Sequence, residues 1–364
     1  MKILTVVGAR PQFIKASVVS SEILKRDTIE EIIVHTGQHF DKKMSDVFFN
    51  QLKIKQPNYN LNINSLSHGA MTGRMMEEIE KLAFIENPDY LMIYGDTNST
   101  LAGALAAKKM NIKVVHVEAG LRSHNSKMPE EINRIITDRI SDLLFCPTIT
   151  AVDNLRKEGF EGYDCKMIMN GDVMYDACLL LNKHAVKPKY NLPNKYALAT
   201  IHRAENTDQE SNLKSIFSAF LQISKDIPIV IPIHPRTLQS LRNYEISYLS
   251  ENIYIIPPVS YFEMLYLIIN SNFVLTDSGG LQKEAYFLRR LCFILRKETE
   301  WVELTKAKAS VLVGNKQTSI VSACKNFEHL YDIANFDLKC FGDGIASKII
   351  VETIENDYKE HKEK

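Results

Sequence analysis

Short apolar runs alternate with longer amphipathic stretches along almost the whole chain, and the alternation is played through twice. The runs at 3–7, 32–36, 90–94, 114–117, 143–145 and 167–169 predict buried strands, with room for helices between them. A second series follows at 196–200, 228–233, 253–256, 273–276, 292–295 and 311–313. Such alternation demands parallel sheets covered by helices on both faces and joined by right-handed crossovers. At 364 residues the chain exceeds one ordinary core and suits two. The expected fold class is therefore α/β, with two Rossmann-like domains facing a central cleft.

The first domain is expected over 1–171 and the second over 172–344. The polar stretch 182–195, with Pro188 and Pro193, reads as a linker region. Ile345, Ile349, Ile350 and Ile354 give 344–358 an apolar stripe. It reads as a closing helix, its 345–364 segment packing back on the first domain and its charged end, 357–364, fraying.

Charge narrows the partners. Lys+Arg and Asp+Glu both number 44, so no global field draws the chain to nucleic acid or to an anionic membrane. An anionic substrate must then be held by local groups. The six cysteines are scattered and form no CxxC pair, so neither a zinc nor a redox site is expected. The amino-terminal apolar run is too short for a secretory signal, and no run reaches the length of a membrane span. A cytoplasmic enzyme is the expectation.

In open parallel sheets ligands bind beyond the carboxyl ends of the strands, so polar residues just after each run are the first candidates. The first run ends in Gly8-Ala9-Arg10-Pro11, where glycine allows a tight turn and proline suits a helix start. Arg10 and Lys15 lie near that helix N-terminus, as an anion site or as plain surface cations. No GxGxxG occurs, which argues against a dinucleotide dehydrogenase. Asp96 follows the third run, as a functional carboxylate or as the N-cap of the next helix. Glu118 follows the fourth, with Arg122 as a possible structural partner. Glu130 and Glu131 follow Pro129, where the helix dipole favours acids. Asp96, Glu118 and Glu130 converge on one edge of one sheet and can supply general acid and base groups.

The second half repeats the arrangement. His202, Arg203 and Asn206 follow its first strand. Thr276-Asp277-Ser278-Gly279-Gly280 ends another strand and opens a helix, as a cradle of backbone N–H groups for a phosphate or as a simple glycine-rich turn. Glu284, one turn inside that helix, is within reach of ribose hydroxyls.

Taken together the chain resembles the non-hydrolysing UDP-N-acetylglucosamine 2-epimerase family. The likeness runs through GARPQFIK (8–15), HTGQHFD (35–41), GDTNST (95–100), HVEAGLRS (116–123), MPEEINR (128–134), HRAEN (202–206), TDSGGLQKEA (276–285) and FGDG (341–344). The resemblance implies a GT-B-like fold, a homodimer, and inversion of C2 of a UDP-amino sugar without cofactor or metal. The implied route removes the C2 proton, expels UDP to leave a glycal, and adds UDP back. It implies catalytic roles for Asp96, Glu118, Glu130 and His202. Substrate-binding roles follow for Arg10, Lys15, Gln38, His39, Arg134, Arg203, Asn206, Ser278, Gly279, Gly280 and Glu284.

Three departures mark this chain. Trp301 replaces an arginine usual in the family, Arg289-Arg290-Leu291 replaces a common Gly-Lys-Pro turn, and Lys308 stands where glycine is usual. The GARPQFIK and TEWVE forms resemble the branch acting on UDP-2,3-diacetamido-2,3-dideoxyglucuronate. That substrate, a hydrolysing 2-epimerase, a GT-B glycosyltransferase and a non-catalytic nucleotide-sugar binder stand as alternatives.

Overall fold

The computed structural model describes residues 1–38 and 56–362. Contacts divide the chain into two units: Met1–Ala177 with Lys339–Lys364, and Cys178–Leu338.

Among the described residues unit 1 holds seven parallel strands: β1 (Lys2–Val7), β2 (Glu30–His35), β3 (Tyr59–Asn60), β4 (Tyr90–Tyr94), β5 (Lys113–Val117), β6 (Leu143–Cys146) and β7 (Lys166–Met169). Their order is β3-β2-β1-β4-β5-β6-β7. The six runs expected from sequence all appear, and β3 is added. Every residue of β4 and β6 is buried, as a sheet covered on both faces requires. One face packs against the alanine-rich helix Asn98–Lys109, where Ala102, Ala104, Ala106 and Ala107 let backbone approach sheet. Its chain order reverses between β1 and β4, so the loops after those strands flank the switch point where such sheets bind ligands.

The closing helix, Ala346–Lys362, belongs to unit 1 and packs on the helix Arg10–Ile23. Its start is held by Asp176, which accepts from Ser347 N at 2.8 Å and Ala346 N at 3.1 Å. The expected fraying of the tail is not what the structure shows: the helix runs on to Lys362. Asp357 is buried there and accepts from the Tyr90 hydroxyl and the Lys113 ammonium, each at 2.7 Å. Lys166 Nζ stands 3.0 Å from its other oxygen. Burial pushes this carboxyl up, but the bonds from Lys113, Tyr90 and Lys166 prevail and bring it down to about 2.

Unit 2 holds six parallel strands: β8 (Ala197–Thr200), β9 (Ile229–Pro232), β10 (Ile253–Ile256), β11 (Phe273–Thr276), β12 (Leu291–Ile294) and β13 (Ser310–Leu312). They lie in the order β10-β9-β8-β11-β12-β13, with the switch point between β8 and β11. A core of Phe217, Phe220, Phe273 and Phe293 with surrounding Leu and Ile fills one face. Each such side chain contributes about 1.5–3 kcal/mol by leaving water. The stretch read as a linker is part of this unit: Val186 N donates to Phe262 O at 3.1 Å, and Leu192 packs on its second core.

Candidate active site

Unit 1 gathers its polar residues at the switch point. Gln12 is the clamp. Its Oε1 accepts from Gly8 N (2.8 Å) and Ala9 N (2.9 Å), after β1. Its Nε2 donates to Tyr94 O (2.6 Å) and to the Thr97 and Thr100 hydroxyls, after β4. One buried amide thus ties the two loops together. Gly8 is required for closeness rather than for a special φ: a Cβ there would lie 2.1 Å from Ser99 Oγ and 2.2 Å from Thr36 Oγ1. Gln38 joins the same cluster, its Oε1 accepting from Ser99 Oγ at 2.8 Å.

The carboxylates have separate fates. Thr97 caps the helix Asn98–Lys109, its side chain accepting from Thr100 N. The capping alternative for Asp96 therefore falls away, and Asp96 accepts instead from the Arg134 guanidinium. Glu118 pairs with the Lys15 ammonium and sits at φ +75°, a strained backbone for a non-glycine residue. The expected partner Arg122 is engaged elsewhere, donating to Asp138 (2.7 Å) and, through two nitrogens, to Glu158 (2.7 and 2.9 Å). Glu131 is buried and spent on structure, accepting from Ser123 N, His124 N and Arg134. Glu130, half-buried on the same helix turn, has no hydrogen bond or ion pair among the described residues. Asp96, Glu118, Lys15 and Arg134 are thus linked in pairs at the strand ends, with Glu130 unspent. Arg10 opens the helix Arg10–Ile23, and His39 lies outside the described residues.

Below these pairs lies a buried set that sequence reading passed over. His116 Nδ1 lies 2.7 Å from Asp138 Oδ1, and Nε2 lies 2.8 Å from the Gly95 carbonyl oxygen. Asp138 also accepts from Gly120 N at 3.1 Å. Burial pushes the Asp138 carboxyl up, but His116 and Arg122 hold it below its usual value. The signal in sequence was a histidine inside an otherwise apolar strand, which must find partners for both ring nitrogens.

In unit 2 the organising group is Asp277, fully buried after β11. It accepts from His202 N, Arg203 N and Asn206 Nδ2, all at 3.1 Å. Asn206 Nδ2 also reaches Leu295 O at 3.0 Å. Asn206 therefore shapes the loop from within. The His202 ring keeps an exposed face. Desolvation, aided by Arg203 and His234, lowers its pKa against the pull of Asp277.

The helix Gly279–Phe287 opens beside this loop with Ser278 at its N-cap. At Gly279 a Cβ would meet Glu300 Oε1, the end of a side chain, at 2.2 Å, so a larger residue there requires that carboxylate to move. At Gly280 a Cβ would meet nothing within 4 Å among the described residues, so packing does not demand glycine there. Glu284 is buried and hydrogen-bonded to the Tyr261 hydroxyl. Trp301 is buried, with Lys283 Nζ 3.9 Å from its ring centroid, a cation–π pair. The other departures keep a glycine-like backbone: Arg289 has φ +57° and Lys308 φ +55°.

Among the described residues no three His, Cys, Asp or Glu side chains form a metal cluster, and no helix is long and apolar enough to cross a membrane.

Two doubly wound parallel sheets, one edged by paired carboxylates and the other by a Ser-Gly-Gly helix start, define an α/β protein of the GT-B-like nucleotide-sugar class. The chain belongs to the UDP-N-acetylglucosamine 2-epimerase family, whose model matches residues 21–355. It is 50% identical over 355 residues to the UDP-2,3-diacetamido-2,3-dideoxy-D-glucuronate 2-epimerase of Pseudomonas aeruginosa, covering 97% of this chain and 99% of that one. A UDP-N-acetylglucosamine 2-epimerase homolog of Methanococcus maripaludis is 49% identical, with 98% and 100% covered. The UDP-GlcNAc 2-epimerase of Methanocaldococcus jannaschii, solved in complex with UDP-GlcNAc and UDP, superposes with a TM-score of 0.89 at 39% identity, covering 98% of this chain and all of that one.

Proposed function

We propose that this chain is a non-hydrolysing epimerase that inverts C2 of a UDP-activated N-acetylamino sugar by eliminating and re-adding UDP. The C2 proton is not next to a carbonyl and is poorly acidic. Departure of UDP must therefore accompany or precede its removal. Such a reaction needs a base on one face of C2, an acid on the other, and stabilisation of the leaving diphosphate. The carrying observation is the division of labour among the unit 1 acids. Glu131 and Asp138 are consumed by structure, whereas Asp96 and Glu118 pair with Arg134 and Lys15 at the strand ends and Glu130 has no hydrogen bond or ion pair among the described residues.

The Ser278–Gly280 turn serves the diphosphate, which explains a glycine at 280 that packing does not require. His202, with its lowered pKa, serves there at neutral pH as an uncharged hydrogen-bond donor. Glu284 serves the ribose, with Arg10, Gln38, His39, Arg134, Arg203 and Asn206 as further binding or supporting groups. The protein acts in the cytoplasm as a homodimer; the exposed stripe of Ile132, Ile135 and Ile136 on the helix Pro129–Ile140 supports a subunit contact.

The 50% identity to the Pseudomonas enzyme favours the diacetamido-uronate as substrate over UDP-GlcNAc. The test is incubation with each UDP-sugar in deuterated water. Deuterium at C2 of recovered UDP-sugar, faster with the uronate, is expected. No exchange with either sugar contradicts epimerisation, and steady release of free UDP indicates hydrolysis instead.

A further inference from the structure

We infer that His116 is a positioning residue for the C2 chemistry, donating from both ring nitrogens to fasten the Asp96 loop beside Glu118. This rests on the reading of Asp96 and Glu118 as the reacting carboxylates.

The ring is fully buried in β5 and has two partners. Both can only accept: the Gly95 carbonyl oxygen at 2.8 Å and an Asp138 carboxylate oxygen at 2.7 Å. A neutral imidazole donates from one nitrogen and presents a lone pair at the other. Either neutral tautomer would set that lone pair against an acceptor oxygen, so both nitrogens carry protons. Asp138 is a fit counter-ion, because Arg122 and Gly120 N hold its second oxygen. The charges alternate from His116 through Asp138 and Arg122 to Glu158, which reaches solvent.

The position of the ring gives it consequence. Gly95, whose carbonyl it holds, immediately precedes Asp96 and stands at φ +64°. A Cβ on Gly95 would lie 3.3 Å from Glu118 Oε2 and 3.6 Å from Lys15 Nζ, so the Glu118–Lys15 pair rests over that residue. Gly95 N in turn donates to Val117 O at 2.9 Å, one residue before Glu118. His116 therefore sets the spacing of two carboxylates that touch different elements, and places a fixed positive charge behind them. The charged groups around it are Asp138 and Arg122 beneath, and the Lys15–Glu118 and Arg134–Asp96 pairs above.

The test combines His116→Gln with nitrogen NMR of the wild-type ring. Glutamine can keep one bond but not the charge. The variant is expected to bind UDP within about threefold of wild type while kcat falls at least about tenfold and KM changes little. The acid limb of its pH–rate profile should move to higher pH, because loss of the cation favours protonated carboxylates. A kcat within twofold of wild type, with an unmoved acid limb, overturns the inference. The wild-type NMR decides the matter should His116→Gln not fold. Two protonated ring nitrogens are expected in the folded protein, and a lone-pair nitrogen contradicts the inference. A wild-type protein without C2 exchange would instead remove the underlying functional reading, whatever the state of the ring.

Discussion

The Lys15 ammonium is bonded to the Glu118 carboxylate, joining the helix after β1 to the residue after β5. Lys15 was expected to serve the diphosphate. Its partner makes it a counter-charge to Glu118, at a position only about one-tenth exposed. Lys15→Met should therefore lower kcat by about 100-fold or more while leaving UDP affinity within about threefold. Steady-state kinetics with calorimetric UDP titration check this. Weakened UDP binding with unchanged kcat would return Lys15 to the phosphate.

Glu130 and Glu131 are neighbours with opposite fates. Glu130→Gln should leave stability within about 0.5 kcal/mol and cut turnover by about 100-fold or more. Glu131→Gln should instead cost about 1–3 kcal/mol, because backbone donors of Ser123 and His124 and the Arg134 guanidinium lose an ionised acceptor. Urea denaturation alongside C2 exchange separates the two.

Asp357 ties the closing helix to β4, β5 and β7. Its folded pKa of about 2 lies below the usual 3.8, so its stabilisation is complete above about pH 4 and is lost as pH falls toward 2. Asp357→Asn should cost about 2 kcal/mol at pH 7. Its deficit relative to wild type should shrink steadily between pH 4 and 2 in denaturation curves. A deficit independent of pH would mean that the carboxylate charge is not what holds the helix.

Arg289 and Lys308 occupy left-handed backbone where glycine is strain-free. Lys308→Gly should stabilise unit 2 by about 0.5–1 kcal/mol. Arg289→Gly should gain less, since it also gives up the exposed ion pair to Asp337. Thermal unfolding midpoints read the difference.

Much of this was legible in sequence because strands buried on both faces are continuous apolar runs, and because ligands of such sheets gather at strand ends. What was hidden depended on packing across strands. β3 has only two residues, too few for a pattern. Asp357 was read as part of a solvated tail, yet it lies three residues past Ile354 on the buried stripe, where only its three partners make it tolerable. Arg122 follows Glu118 closely in sequence, but a strand-end residue turns toward whatever the neighbouring element presents, here Lys15 of the helix Arg10–Ile23. Gln12 drew no reading of its own in the sequence, because its five bonds to two loops belong to the fold alone.

On the proposed route UDP leaves C1 during turnover. A UDP-sugar carrying oxygen-18 in the bridge between C1 and the β-phosphorus tests this directly. Because UDP cleaved from C1 can rotate its terminal phosphate before re-adding, the label should scramble into non-bridging positions at a rate comparable to C2 inversion. Inversion at C2 with the label wholly retained in the bridge would contradict it.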